Sequence, residues 1–165
     1  MSAVPPAPRR PRVLFLCTGN SCRSQMAEGW LRFLTAGRIE ALSAGTEPVG
    51  LNPRAVRVMG EVGIDLSRHT SNSIEQYLAD PPDLVIAVCA AAAESCPIFP
   101  GRTRLLRWPF DDPAHLPGPD EAVLPEFRRV RDEIRARIEA WLAEGLPELA
   151  YGVSHFPPPA AGGGK

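Results

Sequence analysis

The apolar run VLFL at residues 13–16 constrains the fold more than any other feature of this sequence. Four consecutive apolar residues are typical of a strand that is buried on both faces, and a polar loop and a helix follow directly. Further strands are predicted at RIEALSAG, at PPDLVIAVC and at TRLLRW, with helical segments between them. The sequence therefore predicts an α/β fold in which a four-stranded parallel sheet is flanked by helices on both faces.

Four segments carry helical signals. The first begins near Ser24 and continues through QMAEGWLRFL, and the second, NPRAVRVMGEVGI, opens at Asn52 with Pro53 in the first helical position. The segment SNSIEQYLA is predicted to form another helix. The last, PEFRRVRDEIRARIEAWLAEG, is amphipathic, and its many arginines indicate a solvated side rather than a nucleic-acid patch. Its apolar face consists of Phe127, Val130, Ile134, Ile138, Trp141 and Leu142.

Length and charge limit the class of protein. The chain of 165 residues suits one domain at residues 12–149, and we expect residues 1–11 to form a flexible arm and residues 150–165 a disordered tail. With 18 basic and 19 acidic residues, the net charge of -1 provides no field that attracts nucleic acid or an anionic membrane. No apolar run reaches the roughly 18 residues of a membrane span, and the amino terminus lacks the apolar core of a signal peptide. We expect a cytoplasmic protein and a monomer.

Four cysteines in a cytoplasmic protein are not expected to form structural disulfides, because that compartment keeps thiols reduced. They are buried apolar side chains, metal ligands or redox groups. Cys17 and Cys89 come directly after predicted strands, and Asp112 follows the last one. Because ligands bind beyond the carboxyl ends of the strands in open parallel sheets, we expect these three residues to converge.

The loop CTGNSCRS between the first strand and the first helix is predicted to hold a tetrahedral oxyanion. Its backbone N–H groups and the helix terminus favour an anion, and the nucleotide-binding pattern GxxxxGK is absent. In the C-x5-R-S pattern, Cys17 supplies a thiolate nucleophile, the guanidinium of Arg23 binds two oxygens of the anion, and Ser24 donates a hydrogen bond to the thiolate. Gly19 and Asn20 tolerate the positive φ that such a wrap requires. The predicted oxyanion-binding residues are Thr18, Gly19, Asn20, Ser21, Cys22, Arg23 and Ser24.

The pair Cys89 and Cys96 admits three interpretations from the residues alone. If the intervening AAAAES is helical, the two Cα atoms lie about 10.5 Å apart along the axis, whereas a disulfide needs about 4.4–6.8 Å. A disulfide then requires the segment to unwind, which makes the pair a candidate redox switch. A zinc site made from all four cysteines fits the spacings C-x4-C and C-x6-C poorly. The third interpretation is that the pair is apolar and buried, and Cys22 is predicted to be structural in the same way.

Displacing hydroxide from an oxyanion requires a proton donor on the side of the leaving group. The segment WPFDDPA supplies two candidates, Asp111 and Asp112. The following proline fixes the local backbone and holds the carboxyl group in a loop. A simple Asp-Asp-Pro turn is the alternative interpretation.

The string CTGNSCRSQMAEGW resembles the active-site signature of the thioredoxin-coupled arsenate reductases, which share their fold with the low-molecular-weight protein tyrosine phosphatases. The resemblance runs from residue 12 to about residue 143 and includes SAGTEPVGLNPRA, IDLSRHTS, DLVIAVC, SCPIFPG, FDDPA and EFRRVRDEI. It implies a four-stranded parallel sheet flanked by helices. It also implies that arsenate is the substrate, that phosphate or sulfate competes with it, and that thioredoxin is the partner.

The resemblance further implies a role for each reactive residue. Cys17 attacks arsenate held by Arg23, and Asp112 protonates the departing hydroxide. Cys89 then attacks the sulfur of Cys17 and releases arsenite. Cys96 attacks Cys89, and thioredoxin reduces the resulting Cys89–Cys96 disulfide. No metal and no tightly bound cofactor is implied, and weak phosphatase activity is expected from the shared loop.

Some members of the resembling family bind an alkali cation near the loop. Asn20, Glu28 and Ser43 match the ligand positions, whereas Asn72 stands where an aspartate is usual. The missing negative charge should weaken the affinity for a cation. His69 is either a residue that tunes this region or a hydrogen-bonded structural histidine.

Two other functions are compatible with the loop. A phosphatase of the same fold hydrolyses its phosphocysteine with water and needs neither Cys89 nor Cys96, but the tyrosines that receive a phenyl ring in such enzymes are missing around Asp112. A sensor, in which an oxidant switches the Cys89–Cys96 pair, is oxidised stoichiometrically without sustained turnover. Mycothiol or a glutaredoxin is an alternative to thioredoxin as the reductant.

Overall fold

The computed structural model describes residues 9–101 and 103–149, so most of the predicted arm and all of the predicted tail lie outside the described residues. Four strands form one sheet in the order β2-β1-β3-β4, and each neighbouring pair is parallel. The predicted α/β class and the four-stranded parallel sheet are confirmed. The strands are β1 (Arg12–Cys17), β2 (Glu40–Gly45), β3 (Leu84–Ala87) and β4 (Arg104–Arg107).

Four α-helices and two 3₁₀ turns connect the strands. The helices are α1 (Arg23–Leu34), α2 (Pro53–Glu61), α3 (Ala90–Glu94) and α4 (Asp120–Ala143). The 3₁₀ turns are Ile74–Tyr77 and Pro113–His115. No helix in the described part of the chain is long and apolar enough to cross a membrane.

Two helix predictions were wrong in extent by about five residues. The segment SNSIEQYLA contains only the 3₁₀ turn Ile74–Tyr77, which the side chain of Ser73 caps by accepting a hydrogen bond from the backbone N–H of Glu75. Helix α4 begins at Asp120, five residues before the predicted start, and Pro125 lies inside it. Acidic side chains in the first turn favour this early start because they complement the helix dipole.

Burial explains why the sequences of the two central strands, β1 and β3, contain continuous apolar runs. All six residues of β1 and all four of β3 are buried, and because successive side chains point to opposite faces, both faces of these strands are covered. Helix α4 packs on α1, where Trp30 Nε1 donates a hydrogen bond to the backbone oxygen of Arg131 over 3.1 Å. Of the predicted apolar face of α4, all residues are buried except Leu142, which is half-buried.

The strand order determines where a ligand can bind. From β1 the chain first adds β2 on one side and later returns to add β3 on the other side of β1. A crevice opens at such a reversal, beyond the carboxyl ends of the two strands. Cys17 ends β1 and pairs with Gly45 of β2, and Leu16 pairs with Ala87 at the end of β3. The crevice therefore lies beside Cys17.

Candidate active site

The loop of residues 18–22 wraps around the sulfur of Cys17. This cysteine is only 3% exposed. The backbone N–H of Asn20 donates to Cys17 Sγ over 3.1 Å, and Ser24 Oγ lies 2.9 Å from the same sulfur. Asn20 Nδ2 also donates to Ser24 Oγ over 2.8 Å, which leaves the hydroxyl hydrogen of Ser24 for the sulfur. Two donors thus converge on the sulfur of Cys17.

A neighbouring segment, residues 46–52, turns the carbonyl groups of the loop outward. Backbone N–H groups of this segment bind four carbonyl oxygens, at distances of 2.8 to 3.3 Å. Because N–H and C=O point in opposite directions across a peptide plane, the loop N–H groups face the other way, toward the sulfur and the pocket beside it. The donors are Thr46, Glu47, Val49 and Asn52, and the acceptors are Cys17, Thr18, Gly19 and Ser21.

The two residues predicted to have positive φ differ. Asn20 has φ of 47°, as predicted, but Gly19 is not among the described residues with positive φ, so that part of the prediction was wrong. The requirement for glycine at this position is steric, because a Cβ on Gly19 would lie 2.9 Å from Val49 Cγ2. The sequence pattern marks the glycine but not its cause, since Val49 approaches it only in the folded chain.

A pocket of about 280 Å³ opens beside the loop. Most of the loop lines it, together with Glu47, Val49, Asp112, Ala114 and His115. An anion of the size of arsenate or phosphate fits such a volume. Glu47, Val49 and His115 could not be predicted as pocket residues, because nothing in the local sequence indicates that residues so far apart share one pocket.

Arg23 and Asp112 meet at the pocket. Arg23 Nη1 donates to the backbone oxygen of Phe110 over 2.9 Å, and its Nη2 lies 3.3 Å from Asp112 Oδ2. The backbone N–H of Ala114 donates to Asp112 Oδ1 over 2.9 Å. The neighbouring carboxylate of Asp111 is largely exposed and pairs instead with Arg129 at 3.1 Å. Of the two predicted acids, Asp112 is therefore the one at the pocket.

Cys89 lies beside the loop, at the start of α3. It is 8% exposed and occupies the N-cap position of α3, two residues beyond the end of β3. Its Sγ is 3.6 Å from the hydroxyl oxygen of Thr18, the residue next to Cys17. The parallel pairing of β1 with β3 thus brings Cys89 next to the residue that follows Cys17.

Cys96 lies just beyond the far end of α3. The helix has five residues and ends at Glu94, so it is shorter than the predicted AAAAES helix, and Cys89 and Cys96 flank it. Cys96 is half-buried, and burial raises the pKa of its thiol. All four cysteines are free thiols in this structure, and among the described residues they do not form a group that could hold a metal ion.

Cys22 belongs to the loop but is held as a neutral thiol. Burial is the main cause of a pKa well above the ordinary value, and the carboxylate of Asp112 acts in the same direction. A neutral thiol is a poor nucleophile. Cys22 therefore does not compete with Cys17 for an electrophile in the pocket.

The positions that the resemblance links to an alkali cation form a hydrogen-bonded cluster. Ser43 Oγ donates to Glu28 Oε1, and Arg32 Nη2 donates to Glu28 Oε2; each donor–acceptor distance is 2.7 Å. Asn20 Oδ1 accepts from the backbone N–H of Asn72 over 2.8 Å. The guanidinium of Arg32 and the other protein donors would compete with an alkali cation for these oxygens.

His69 is held in one neutral form beside this cluster. Its Nδ1 donates to Gln25 Oε1 over 2.9 Å, and its Nε2 lies 3.0 Å from Arg32 Nη1 and therefore accepts. Burial lowers the pKa of His69; the Glu28 carboxylate opposes this shift and Arg32 adds to it. This arrangement agrees with the interpretation of His69 as a hydrogen-bonded structural histidine.

Known proteins share both the sequence and the fold of this chain. The family model for low molecular weight phosphotyrosine protein phosphatase matches residues 12–149. An arsenate reductase of Halalkalibacterium halodurans is 49% identical over 133 residues, which cover 81% of this chain and 96% of that protein. A solved structure of an arsenate reductase in the phosphate binding state is 37% identical, with a TM-score of 0.63 over 81% of this chain and 98% of that chain.

A low molecular weight protein tyrosine phosphatase from T. tengcongensis has the same fold, with 28% identity and a TM-score of 0.66 over 81% of this chain and 99% of that chain. The family match covers the whole described α/β domain from β1 onward. The chain therefore belongs to the low molecular weight phosphotyrosine protein phosphatase family, in the branch that contains the arsenate reductases.

Proposed function

We propose that this protein reduces arsenate to arsenite through a relay from Cys17 to Cys89 to Cys96, and that thioredoxin regenerates it. The observation that carries the proposal is the contact between Cys89 and the loop that follows Cys17. Cys17 lies in the oxyanion loop, and Cys89 Sγ is 3.6 Å from the hydroxyl of Thr18 in the same loop. A phosphatase needs the first thiol alone, so the second supports a reductase. The 49% identity to an arsenate reductase supports the same choice of substrate.

The first step is a substitution at arsenic. The Cys17 thiolate forms a bond to arsenic(V), and the bond from arsenic to one oxygen breaks. Asp112 gives its proton to that oxygen, which leaves as water, while Arg23 and the loop N–H groups hold the remaining oxygens. Phosphate has the same shape and charge, so we expect it to compete. The solved relative in a phosphate binding state supports this expectation for the family.

The second step transfers two electrons. The Cys89 thiolate attacks the sulfur of Cys17, the sulfur–arsenic bond breaks, and its electron pair stays on arsenic, which leaves as arsenite(III). The products are arsenite and a Cys17–Cys89 disulfide. The hydroxyl of Thr18 is close enough to Cys89 Sγ to donate to its thiolate, which would assist this attack.

The third step moves the disulfide away from the loop. The Cys96 thiolate attacks Cys89, and Cys17 leaves as the thiolate that starts the next cycle. Helix α3 separates the two cysteines but has only five residues, and a helix that short contributes little stability of its own. It can therefore unwind to let the sulfurs meet. A thioredoxin dithiol then reduces the Cys89–Cys96 disulfide.

Arsenate-dependent NADPH consumption with thioredoxin and thioredoxin reductase tests the whole proposal. Wild type should turn over continuously. Cys89→Ser should stop after the covalent adduct and release no arsenite. Cys96→Ser should release one arsenite per chain and stop at the Cys17–Cys89 disulfide. The carboxylate of Asp111 pairs with Arg129 outside the pocket, so Asp111→Asn is the matched control and should behave as wild type.

Other outcomes identify the competing functions. Aryl phosphate hydrolysis that is unaffected by Cys89→Ser, without arsenate turnover, would establish a phosphatase. One round of oxidation without turnover under any reductant would indicate a sensor. Turnover with a mycothiol or glutaredoxin system but not with thioredoxin would retain the relay and replace the partner.

A further inference from the structure

Both carboxylate oxygens of the proposed acid, Asp112, have close partners. The backbone N–H of Ala114 donates to its Oδ1 over 2.9 Å, and Arg23 Nη2 lies 3.3 Å from its Oδ2. An aspartic acid with the ordinary pKa of about 3.9 keeps its proton in only about one molecule in a thousand at pH 7. An acid step at neutral pH therefore needs a nearby source of protons.

His115 is placed to be that source. Its Nε2 lies 3.0 Å from Asp112 Oδ2, the same oxygen that faces Arg23. The 3₁₀ turn Pro113–His115 fixes this proximity, because Asp112 caps the turn and His115 is its last residue. The side chain of His115 is 87% exposed and also lines the pocket. It thus connects the solvent to the carboxyl group.

The chemistry of histidine suits this position. A histidine with the ordinary pKa of about 6.5 carries its second proton in about a quarter of molecules at pH 7, hundreds of times more often than an ordinary aspartic acid carries its proton. A proton that moves from an imidazolium to a carboxylate leaves a neutral pair, so the transfer separates no charge. Contacts of this kind in an enzyme without substrate are often poorly aligned and tighten on binding.

We propose that His115 supplies the proton that Asp112 delivers to the departing oxygen. In the step, the imidazolium N–H bond of His115 breaks as the O–H bond of Asp112 forms. The Asp112 proton then passes to the arsenate oxygen, which leaves as water when Cys17 bonds to arsenic. Neutral His115 regains its proton from solvent. This proposal rests on the proposed arsenate reduction, and His115 acts through Asp112 without touching the reacting atoms.

Other charged and titratable groups share the pocket. They are Arg23 and Glu47, with the thiols of Cys17 and Cys22. In the proposed reaction, Arg23 turns to the oxyanion, so its contact with Asp112 competes with substrate. His115 has no such second partner among the described ion pairs. The contact between His115 and Asp112 can therefore persist when the substrate is bound.

The test is the rate of arsenite release in a single turnover of fully reduced protein between pH 5.5 and 8.5. Wild type is compared with His115→Gln, which keeps an N–H donor but carries no titratable proton. Dividing the wild-type rate by the His115→Gln rate at each pH cancels the effects that the ionisation of arsenate and of the thiols has on both rates. We expect the wild-type rate to exceed the His115→Gln rate about tenfold at pH 6, which is part of the usual contribution of a general acid. The ratio of the two rates should fall toward one above pH 8. Added imidazole should accelerate His115→Ala, because the site is open to solvent.

Each further result has a distinct meaning. A ratio that does not change with pH, together with no rescue by imidazole, would overturn the proposal and leave His115 a merely structural role. A wild-type rate in Asp112→Asn would overturn it as well, by removing Asp112 as the acid. The control Asp111→Asn should match wild type. Absence of arsenite from wild type itself would instead refute the proposed function, so the two failures are distinguishable.

Discussion

Gly45→Ala tests whether the shape of the oxyanion loop depends on its close approach to β2. Gly45 ends β2 and pairs with Cys17. A Cβ built there lies 2.5 Å from the backbone oxygen of Thr18 and 2.9 Å from the backbone nitrogen of Asn20. Ordinary contact begins near 3.4 Å, so the backbone must move by about 0.9 Å. Both obstacles are main-chain atoms, which cannot rotate away as a side chain can.

The expected cost has two parts. Overpacking of this kind lowers the free energy of unfolding by about 1–3 kcal/mol, which corresponds to a fall in Tm of roughly 2–12 °C. Because Asn20 carries the N–H that binds Cys17 Sγ, the same movement displaces the hydrogen bond of the proposed nucleophile. A displacement near 1 Å costs about a hundredfold in rate. We therefore expect arsenate turnover to fall about a hundredfold and phosphate affinity, measured by calorimetry, to fall with it.

Two other glycines provide matched controls. At Gly29 in α1 a Cβ meets the methyl groups of Ile64 and Leu66 at 3.0 Å, so alanine should lower stability by about 1 kcal/mol without changing turnover per folded molecule. At Gly60 in α2 nothing lies within 4 Å, so alanine should raise stability by about 0.5–1 kcal/mol. If Gly45→Ala keeps the turnover and the phosphate affinity of wild type, the close approach does not shape the loop and the reasoning is refuted.

Two further predictions concern stability. Asn52→Ala should lower the free energy of unfolding by about 1 kcal/mol in urea titrations, because Asn52 Oδ1 accepts the backbone N–H of Arg54 at the start of α2; equal stability would show that the cap contributes nothing. Because the pKa of His69 is lowered in the folded chain, the unfolded chain binds more protons than the folded chain once the pH falls below about 6.5, the ordinary pKa of histidine. Wild type should therefore lose stability as the pH falls from about 6.5, and His69→Gln should lose less over the same range; parallel pH profiles would contradict this.

Much of the site could be predicted from sequence because its parts are local. Cys17, Arg23 and Ser24 lie within eight residues, and a strand followed by a short polar loop and a helix leaves few alternatives. Cys89 could be placed beside them because parallel strands present their carboxyl ends at one edge. The sheet itself followed from continuous apolar runs, which both faces of β1 and β3 require.

What could not be predicted depends on contacts between distant segments. His115 reaches the pocket through a 3₁₀ turn whose length is not evident from its residues. Val49, which excludes a side chain at Gly19, belongs to a segment without secondary structure. The early start of α4 was missed because Pro125 is typical of a helix boundary, and the helix accommodates it near its amino end. In each case tertiary packing overrides the local signal.

The separation of the two halves of the site has a functional consequence. The oxyanion loop is built from β1, α1 and the segment 46–52, whereas Cys89 and Cys96 flank the short helix α3. Substitutions at these two positions leave the main-chain hydrogen bonds of the loop in place. In the proposed reaction, a substitution at Cys89 or Cys96 would therefore stop electron transfer while the loop keeps its shape.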